Sequence, residues 1–273
     1  MNFEKGAVNM PQNTEILQAG TGNKTVKLFV NLNRSRTFRE KNRAFAMEGG
    51  RLILDALGSG VRLRALLWTE KAREQYGADI PSAQMPQQTF LITESLAKEI
   101  ADTETAQGIF AIAEMLPETA KLPLHGTRNM LLHCVQDPSN LGAILRTAEA
   151  LGTDGLYLFQ CCDLYNPKTI RSSMGALFRL PLMRLTDMDA FFAHCREASL
   201  PTCAAVVDRD AQLLGSYDFC RGAVVLIGNE GNGLPKEISA ACDKRLTIPM
   251  SPASNSLNAA MAAGLFLWEM AKA

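Results

Sequence analysis

The sequence has no excess of either charge and no long apolar segment. Its 273 residues carry 28 basic and 28 acidic side chains, so the formal net charge is zero. Any binding of nucleic acid therefore depends on a local basic cluster, because the whole chain supplies no attraction. No apolar run reaches the ~20 residues that a membrane span needs, and residues 1–22 lack the apolar segment of a secretory signal. These absences predict a cytoplasmic protein without a membrane partner.

Histidine and cysteine are too few and too scattered for a typical metal site. The chain has three histidines and seven cysteines, and no two cysteines form a CxxC pair. Structural zinc sites bring such residues together at short, regular spacings. We therefore expect no bound metal, and we expect reduced thiols that lie mostly in the core.

Two prolines and a glycine interrupt the pattern between residues 116 and 126 and indicate a boundary between domains. We therefore divide the chain into an unassigned N-terminal lead at 1–23, a first domain at 24–116, a linker at 117–128 and a second domain at 129–273.

Strands and helices alternate through the second domain. Apolar runs such as GLYLF (155–159) and GAVVLIG (222–228) are typical of buried strands, and helical patterns separate them. This alternation predicts an α/β fold with a parallel sheet that is covered on both faces. The first domain is predicted to be a small α/β unit, in which SRTFREKNRAFAMEG (35–49) forms a helix.

Three polar segments follow predicted strands of the second domain, at 137–140, 228–233 and 249–256. Ligands of open α/β sheets bind beyond the carboxyl ends of the strands. Each segment alone is a weak signal, but together they predict a site.

The segment LIGNEGNGLP (226–235) does not match a phosphate-binding loop. Its glycines follow the order GxxGxG, whereas the dinucleotide fingerprint requires GxGxxG, and no Gly-Lys-Ser/Thr triplet occurs in the chain. Glu230 would also repel a pyrophosphate. Two interpretations stay open, namely a turn that merely needs glycine and a turn that presents the Glu230 carboxylate.

Other polar residues of these segments also have a purely structural interpretation. Asn140 can be a helix N-cap, and Arg146 can pair with Glu149 along the same helix. Ser256 and Asn258 can be the cap and a first-turn residue of the last helix.

A basic cluster lies near the start of the first domain. Among residues 24–43 there are seven basic side chains and only one acidic side chain, Glu40. The cluster is either a solvated helix face or a contact surface for a phosphate backbone. Its members are Lys24, Lys27, Arg34, Arg36, Arg39, Lys41 and Arg43.

Taken together, these segments resemble the SpoU (TrmH-like) RNA methyltransferases. Three stretches match the family's three motifs in order and spacing, and they are DPSNLGAILRTAEALG (137–152), LIGNEGNGLP (226–235) and IPMSPASNSLNAAMAAG (248–264). Residues 35–57 and 65–70 are similar to the family's substrate-binding domain, which is related to the ribosomal L30e fold. The resemblance covers about residues 24–271.

The resemblance implies a fold, a cofactor and an assembly. The second domain is expected to be Rossmann-like, with its C-terminal chain forming a trefoil knot, and to pair with a second copy as a homodimer. The first domain is expected to be an L30e-like domain that binds the RNA substrate. S-adenosylmethionine is expected to bind in the knot, and the residues implied as its cradle are Leu226, Gly228, Ile248, Met250 and Leu257.

The resemblance also implies catalytic roles for Asn140, Arg146, Glu230, Ser256 and Asn258. Arg146 is the expected catalytic residue. Because a guanidinium almost never loses its proton in a protein, we expect it to bind a phosphate and to stabilise a developing alkoxide. Glu230 is expected to pair with Arg146 or to receive a proton, and Asn140 to orient the pair. Methyl transfer from a sulfonium requires no metal.

The implied function is methylation of a ribose 2′-hydroxyl in structured ribosomal RNA of the 23S type. One alternative is a transfer-RNA 2′-O-methyltransferase. Another is a non-catalytic RNA-binding or ribosome-assembly protein on the same fold. A nicotinamide-dependent oxidoreductase is disfavoured by the order of the glycines.

Overall fold

A computed structural model describes residues 16–117, 128–251 and 253–273. The chain divides into two compact units, of which the first comprises residues 1–116 and 165–167 and the second comprises 117–164 and 168–273. Residues 1–15 of the predicted lead and 118–127 of the predicted linker lie outside the described residues. Residues 16–18 of the lead form a strand that the sequence had not indicated.

The first unit contains a mixed sheet of five strands, in the order β1-β4-β3-β5-β2. Strand β5 runs antiparallel to both β2 and β3, whereas β1, β4 and β3 are parallel. The elements are β1 (Ile16–Gln18), α1 (Lys24–Arg34), α2 (Arg36–Asn42), β2 (Ala44–Glu48), α3 (Gly50–Gly58), β3 (Leu63–Trp68), α4 (Glu70–Tyr76), β4 (Gln88–Leu91), α5 (Glu94–Ile100) and β5 (Ile109–Glu114).

The helix predicted across residues 35–49 is only half a helix. Helix α2 ends at Asn42, and Arg43 follows in the left-handed conformation with φ of 48°. Residues 44–48 then form β2, in which all five residues are buried and paired with β5. Pairing and burial in the sheet therefore override the local helical pattern.

The second unit contains seven strands, in the order β10-β12-β9-β11-β6-β7-β8, and every neighbouring pair is parallel. The parallel sheet predicted from the sequence is confirmed, whereas the trefoil knot stays a prediction. The elements are β6 (Arg128–His133), α6 (Pro138–Ala150), β7 (Gly155–Phe159), α7 (Pro167–Ser173), β8 (Leu182–Leu185), α8 (Met188–Glu197), β9 (Thr202–Ala205), β10 (Gln212–Leu213), β11 (Ala223–Ile227), α9 (Lys236–Ala241), β12 (Lys244–Thr247) and α10 (Ala259–Lys272).

Helix α6 begins within the first polar segment, helix α10 follows the third, and the two helices pack against each other. A Cβ atom at Gly264 of α10 would lie 3.7 Å from the Thr147 side chain of α6, so the helix contains a small residue at this contact. The N-terminal ends of both helices are thereby fixed next to the strand ends. None of the described helices is long and apolar enough to span a bilayer, and the cytoplasmic location stays a prediction.

Candidate active site

The first two polar segments meet at the carboxyl ends of the adjacent strands β6 and β11. The Glu230 carboxylate, in the loop after β11, accepts hydrogen bonds from the backbone N–H groups of Gln136 at 3.1 Å and Asp137 at 3.0 Å. It also accepts a hydrogen bond from Nδ2 of Asn140 at 3.1 Å. The loop therefore presents its carboxylate to the first turn of α6.

The third motif joins the same network through Asn258, which lies two residues after the third polar segment. Nδ2 of Asn258 donates to Oδ1 of Asn140 at 2.9 Å. Oδ1 of Asn258 in turn accepts from the backbone N–H groups of Ala260 at 2.9 Å and Met261 at 3.2 Å, and so caps α10. We call Glu230, Asn140 and Asn258 the amide–carboxylate chain. It connects all three motifs.

Asn140 is free to join this chain because another residue caps α6. The N-cap is Asp137, whose Oδ1 accepts from the backbone N–H of Ser139 at 2.6 Å. The structural interpretation of Asn140 as a mere cap is therefore wrong. The N-cap of α10 is Asn258 rather than Ser256, and the amide nitrogen of Asn258 has a second role.

Glu230 is a carboxylate at neutral pH. Burial raises the pKa of this carboxyl, but the hydrogen bonds from Asp137, Gln136 and Asn140 together outweigh burial and lower the pKa below its ordinary value of 4.5. A general base acts best with a pKa near the working pH. Glu230 is thus better suited to hold its donors in place than to take a proton.

Gly228 is required by the loop itself. A Cβ atom there would lie 2.2 Å from the carbonyl carbon of Gly233 and 2.3 Å from the nitrogen of Leu234. Asn229 and Gly233 exchange backbone hydrogen bonds at 3.0 and 2.9 Å, and Gly233 has φ of 65°. The loop folds back on itself and can do so only without a side chain at 228.

A cavity of about 760 Å³ opens beside this loop, and we call it the strand-end cavity. Its volume lies within the range of about 300–1,000 Å³ that is usual for small-molecule sites. Most of its wall is apolar. Among the predicted residues, Gly228, Glu230, Ile248, Met250, Ser256 and Leu257 line it.

The side chain of Leu226 does not line this cavity, and the assignment of Leu226 to the cradle stays a prediction. Leu226 is fully buried and belongs to a core cluster with Phe191 and Tyr157. Its neighbour Ile227 lines the strand-end cavity instead. Successive side chains of a strand point to opposite faces of the sheet, so a shift by one residue exchanges core for cavity.

Arg146 stands apart from the amide–carboxylate chain. It is exposed on α6, and within the described ranges no hydrogen bond or ion pair joins it to another side chain, so the expected pair with Glu230 is not formed. Its neighbour Glu149 binds Arg179, with Nη2 and Oε2 at 3.0 Å. The helical pair between Arg146 and Glu149 is therefore not formed either. The Arg146 guanidinium is available to an anionic ligand.

Arg39 must be removed from the predicted basic cluster at residues 24–43, which we call the α1–α2 basic cluster because α1 and α2 carry most of it. Its side chain is 3% exposed, and its guanidinium donates to the backbone oxygens of Leu32 and Asn33 at the end of α1. It stabilises the helix terminus, where carbonyl groups lack partners. The exposed members of the cluster are Lys24, Lys27, Arg34, Arg36, Lys41 and Arg43.

Two family models match the chain. The model described as the SpoU rRNA methylase family matches residues 128–268, and the model described as an MRM3-like substrate binding domain matches residues 23–111. The described part of the chain contains no group of three or more His, Cys, Asp or Glu residues that could hold a metal ion.

Known proteins resemble the chain along most of its length. An uncharacterized tRNA/rRNA methyltransferase of Synechocystis is 32% identical, and the alignment covers 91% of each chain. A 23S rRNA guanosine 2′-O-methyltransferase of Bacillus subtilis is 29% identical over 85% of this chain and 90% of the relative. The crystal structure of an AdoMet-bound rRNA methyltransferase from Sinorhizobium meliloti superposes with a TM-score of 0.82, at 28% identity over 94% of this chain and 97% of that one.

Proposed function

This chain belongs to the SpoU rRNA methylase family, and we propose that it methylates a ribose 2′-hydroxyl in structured ribosomal RNA of the 23S type. It is an S-adenosylmethionine-dependent RNA methyltransferase. The observation that carries the proposal is the amide–carboxylate chain, because it joins all three motifs at the edge of a ligand-sized cavity. The 2′-O specificity is also that of the relative from Bacillus subtilis.

The strand-end cavity fits the methyl donor. S-adenosylmethionine supplies an activated methyl group on a sulfonium, which transfers to a nucleophile without a metal. Ile248, Met250 and Leu257 offer apolar surface for its nucleoside. The turn closed by the hydrogen bonds between Asn229 and Gly233 presents backbone groups beside them. We assign Gly228, Ile248, Met250 and Leu257 to donor binding, and Ser256 to the cavity edge near the reacting groups.

Arg146 is assigned to the acceptor side of the reaction. Its exposed guanidinium is suited to bind the phosphate next to the target ribose and to stabilise negative charge on the 2′-oxygen during transfer. Hydrogen bonds hold the Glu230 carboxylate and keep its pKa below the ordinary value, so we assign to it, with Asn140 and Asn258, the positioning of the loop and the two helix ends. Most of the rate enhancement then comes from alignment of donor and acceptor.

A stripe of apolar side chains on and before α10 supports a homodimer of the second unit. Leu257, Met261, Leu265 and Trp268 are 38%, 63%, 39% and 54% exposed. From Met261 onward their spacing is four and three residues, which places them on one helix face. Methionine and tryptophan are enriched in interfaces. We propose that a second copy covers this face.

Trp268→Glu tests this placement of the dimer interface. The variant should sediment as a monomer where the native protein sediments as a dimer, and an unchanged dimer would contradict the placement.

RNA binding is assigned to the exposed residues of the α1–α2 basic cluster in the substrate-binding domain. Backbone phosphates are contacted by such side chains irrespective of sequence.

The experiment that tests the function is transfer of a tritiated methyl group to unmodified ribosomal RNA and transfer RNA, followed by nucleoside mapping. We expect one 2′-O-methylated nucleoside in ribosomal RNA. Labelling of transfer RNA alone would favour the first alternative. No labelling of either RNA, with no binding of S-adenosylmethionine at millimolar concentration, would favour a non-catalytic RNA-binding protein.

A further inference from the structure

A second carboxylate lies on the wall of the strand-end cavity. Four charged side chains line this cavity, and they are Asp208, Glu230, Lys236 and Arg245. Glu230 is bound to the first turn of α6. Asp208 follows β9, which ends at Ala205, and therefore lies at the sheet edge where open α/β folds bind their ligands.

Contacts on both oxygens hold the Asp208 carboxylate in place. Oδ1 accepts a hydrogen bond from the backbone N–H of Asp210 at 2.9 Å. Oδ2 forms an ion pair with the Arg245 guanidinium, which comes from β12. The backbone of the same segment is tied to β12, because the Val206 N–H donates to the Leu246 oxygen at 2.9 Å. These contacts fix the position of the Asp208 carboxylate on the cavity wall.

The charge state of Asp208 limits what it can bind. The Asp210 hydrogen bond, and after it the Arg245 charge, keep the pKa of this carboxyl below its ordinary value, so at neutral pH it only accepts hydrogen bonds. Its side chain is 27% exposed, which leaves oxygen lone pairs accessible. Because Arg245 balances the negative charge, the pair suits neutral hydroxyl donors better than a cation.

Ribose offers two adjacent neutral hydroxyl groups. We propose that Asp208 accepts hydrogen bonds from the ribose hydroxyls of S-adenosylmethionine and thereby selects the nucleoside part of the methyl donor. The inference rests on the proposed function, because it assumes that the donor occupies the strand-end cavity.

The first test is calorimetric titration with S-adenosylhomocysteine, which requires no RNA and no turnover. Asp208→Asn keeps the shape of the side chain but replaces one acceptor oxygen with an N–H donor group. We expect binding to weaken about 10- to 100-fold, as for the loss of hydrogen bonds to a charged group. Asp210→Asn is the matched control, since it removes the same charge two residues away but keeps the backbone N–H that Asp208 accepts. It should bind like the native protein.

The second test uses analogues of S-adenosylhomocysteine that lack the 2′- or the 3′-hydroxyl of the ribose. The native protein should bind at least one of them about tenfold more weakly than the parent compound, and Asp208→Asn should lose this discrimination. Unchanged affinity of Asp208→Asn, or equal discrimination by both proteins, would overturn the inference. The titrations of the native protein remain decisive even if the variant folds poorly, because full affinity of the native protein for both analogues already contradicts a ribose contact. If the native protein binds no S-adenosylhomocysteine at all, the proposed function itself fails, and this assignment with it.

Discussion

In the second unit, three of the five candidate catalytic residues are held by other polar groups, whereas in the first unit six of the seven residues of the α1–α2 basic cluster are exposed. Glu230 accepts hydrogen bonds from four donors, and Asn140 and Asn258 are fixed in turn. Lys24, Lys27 and Arg34 are exposed. A reaction between two bound partners requires fixed distances. Attraction of a phosphate backbone requires mainly the right charge, so geometry matters less there.

Arg146 is the sharpest test of this comparison, because it lies in the second unit but is exposed like the residues of the first. Arg146→Ala should lower the single-turnover rate of methyl transfer by about 10²–10³-fold, the usual loss for one stabilising donor. Affinity for S-adenosylhomocysteine and the unfolding midpoint should not change. Arg196→Ala, at an exposed position of α8, is the matched control. Near-native turnover of Arg146→Ala would refute its catalytic role.

Glu230→Gln tests whether the amide–carboxylate chain also stabilises the fold. Glutamine has one acceptor oxygen where glutamate has two, and its amide group faces donors. We expect the free energy of unfolding in urea to fall by about 1.5–3 kcal/mol, as for lost hydrogen bonds to a charged group. Glu237→Gln, at an exposed position of α9, should change it by less than about 0.5 kcal/mol. Equal stability of the two variants would mean that the chain adds little to folding.

The stabilisation by Glu230 should depend on pH in one direction. Because folding lowers the pKa of this carboxyl below 4.5, its contribution is complete above that value and is lost as the pH falls through the folded-state pKa. Glutamine does not titrate. The difference in unfolding free energy between the native protein and Glu230→Gln should therefore stay constant from neutral pH down to about pH 5 and shrink as the pH falls below the ordinary pKa of 4.5. A difference that grows on acidification would contradict the assigned direction of the pKa shift.

The smallest effect is expected within the α1–α2 basic cluster, where Arg34 and Arg39 form a contrasting pair. Arg34→Ala should weaken RNA binding a few-fold and reduce the slope of log affinity against log salt by about 0.7–0.9, with little change in stability. Arg39→Ala should instead destabilise the protein by about 1.5–3 kcal/mol, because two backbone oxygens lose a charged donor. Filter binding at several salt concentrations and urea unfolding measure the two effects. If Arg39→Ala instead weakened RNA binding and Arg34→Ala destabilised the protein, Arg39 would belong to the RNA-binding surface.

Patterns with a clear period could be predicted from the sequence, whereas conformations that depend on distant contacts could not. The alternation of GLYLF and GAVVLIG with helices predicts the parallel sheet, since each strand is a buried apolar run. Residues 44–48 look helical locally, and only their pairing with β5 makes them a strand. Such a pairing spans some 65 residues of chain, and local propensity does not contain it.

The candidate site was predicted at the level of segments and less well at the level of atoms. Three polar segments after strands indicated one shared site, because parallel strands end at one edge. The sequence does not indicate that Asp137 caps α6 and leaves Asn140 to Glu230, since either residue suits an N-cap. Nor does it separate Leu226 from Ile227, since both are apolar and only the face of the sheet differs. Nor does the sequence separate Arg39 from the exposed basic residues around it, since its burial depends on its contacts with the end of α1.

The amide–carboxylate chain also has a direction. An asparagine amide has a donor end and an acceptor end of nearly equal size. Here one terminus is an ionised carboxylate that only accepts, and the other consists of the N–H groups of Ala260 and Met261, which only donate. Both asparagines therefore have one permitted orientation, with every proton directed towards Glu230. An aspartate at position 140 or 258 would have the same shape, but an acceptor oxygen would replace the Nδ2 donor. The hydrogen bond that this donor makes within the chain would then be lost.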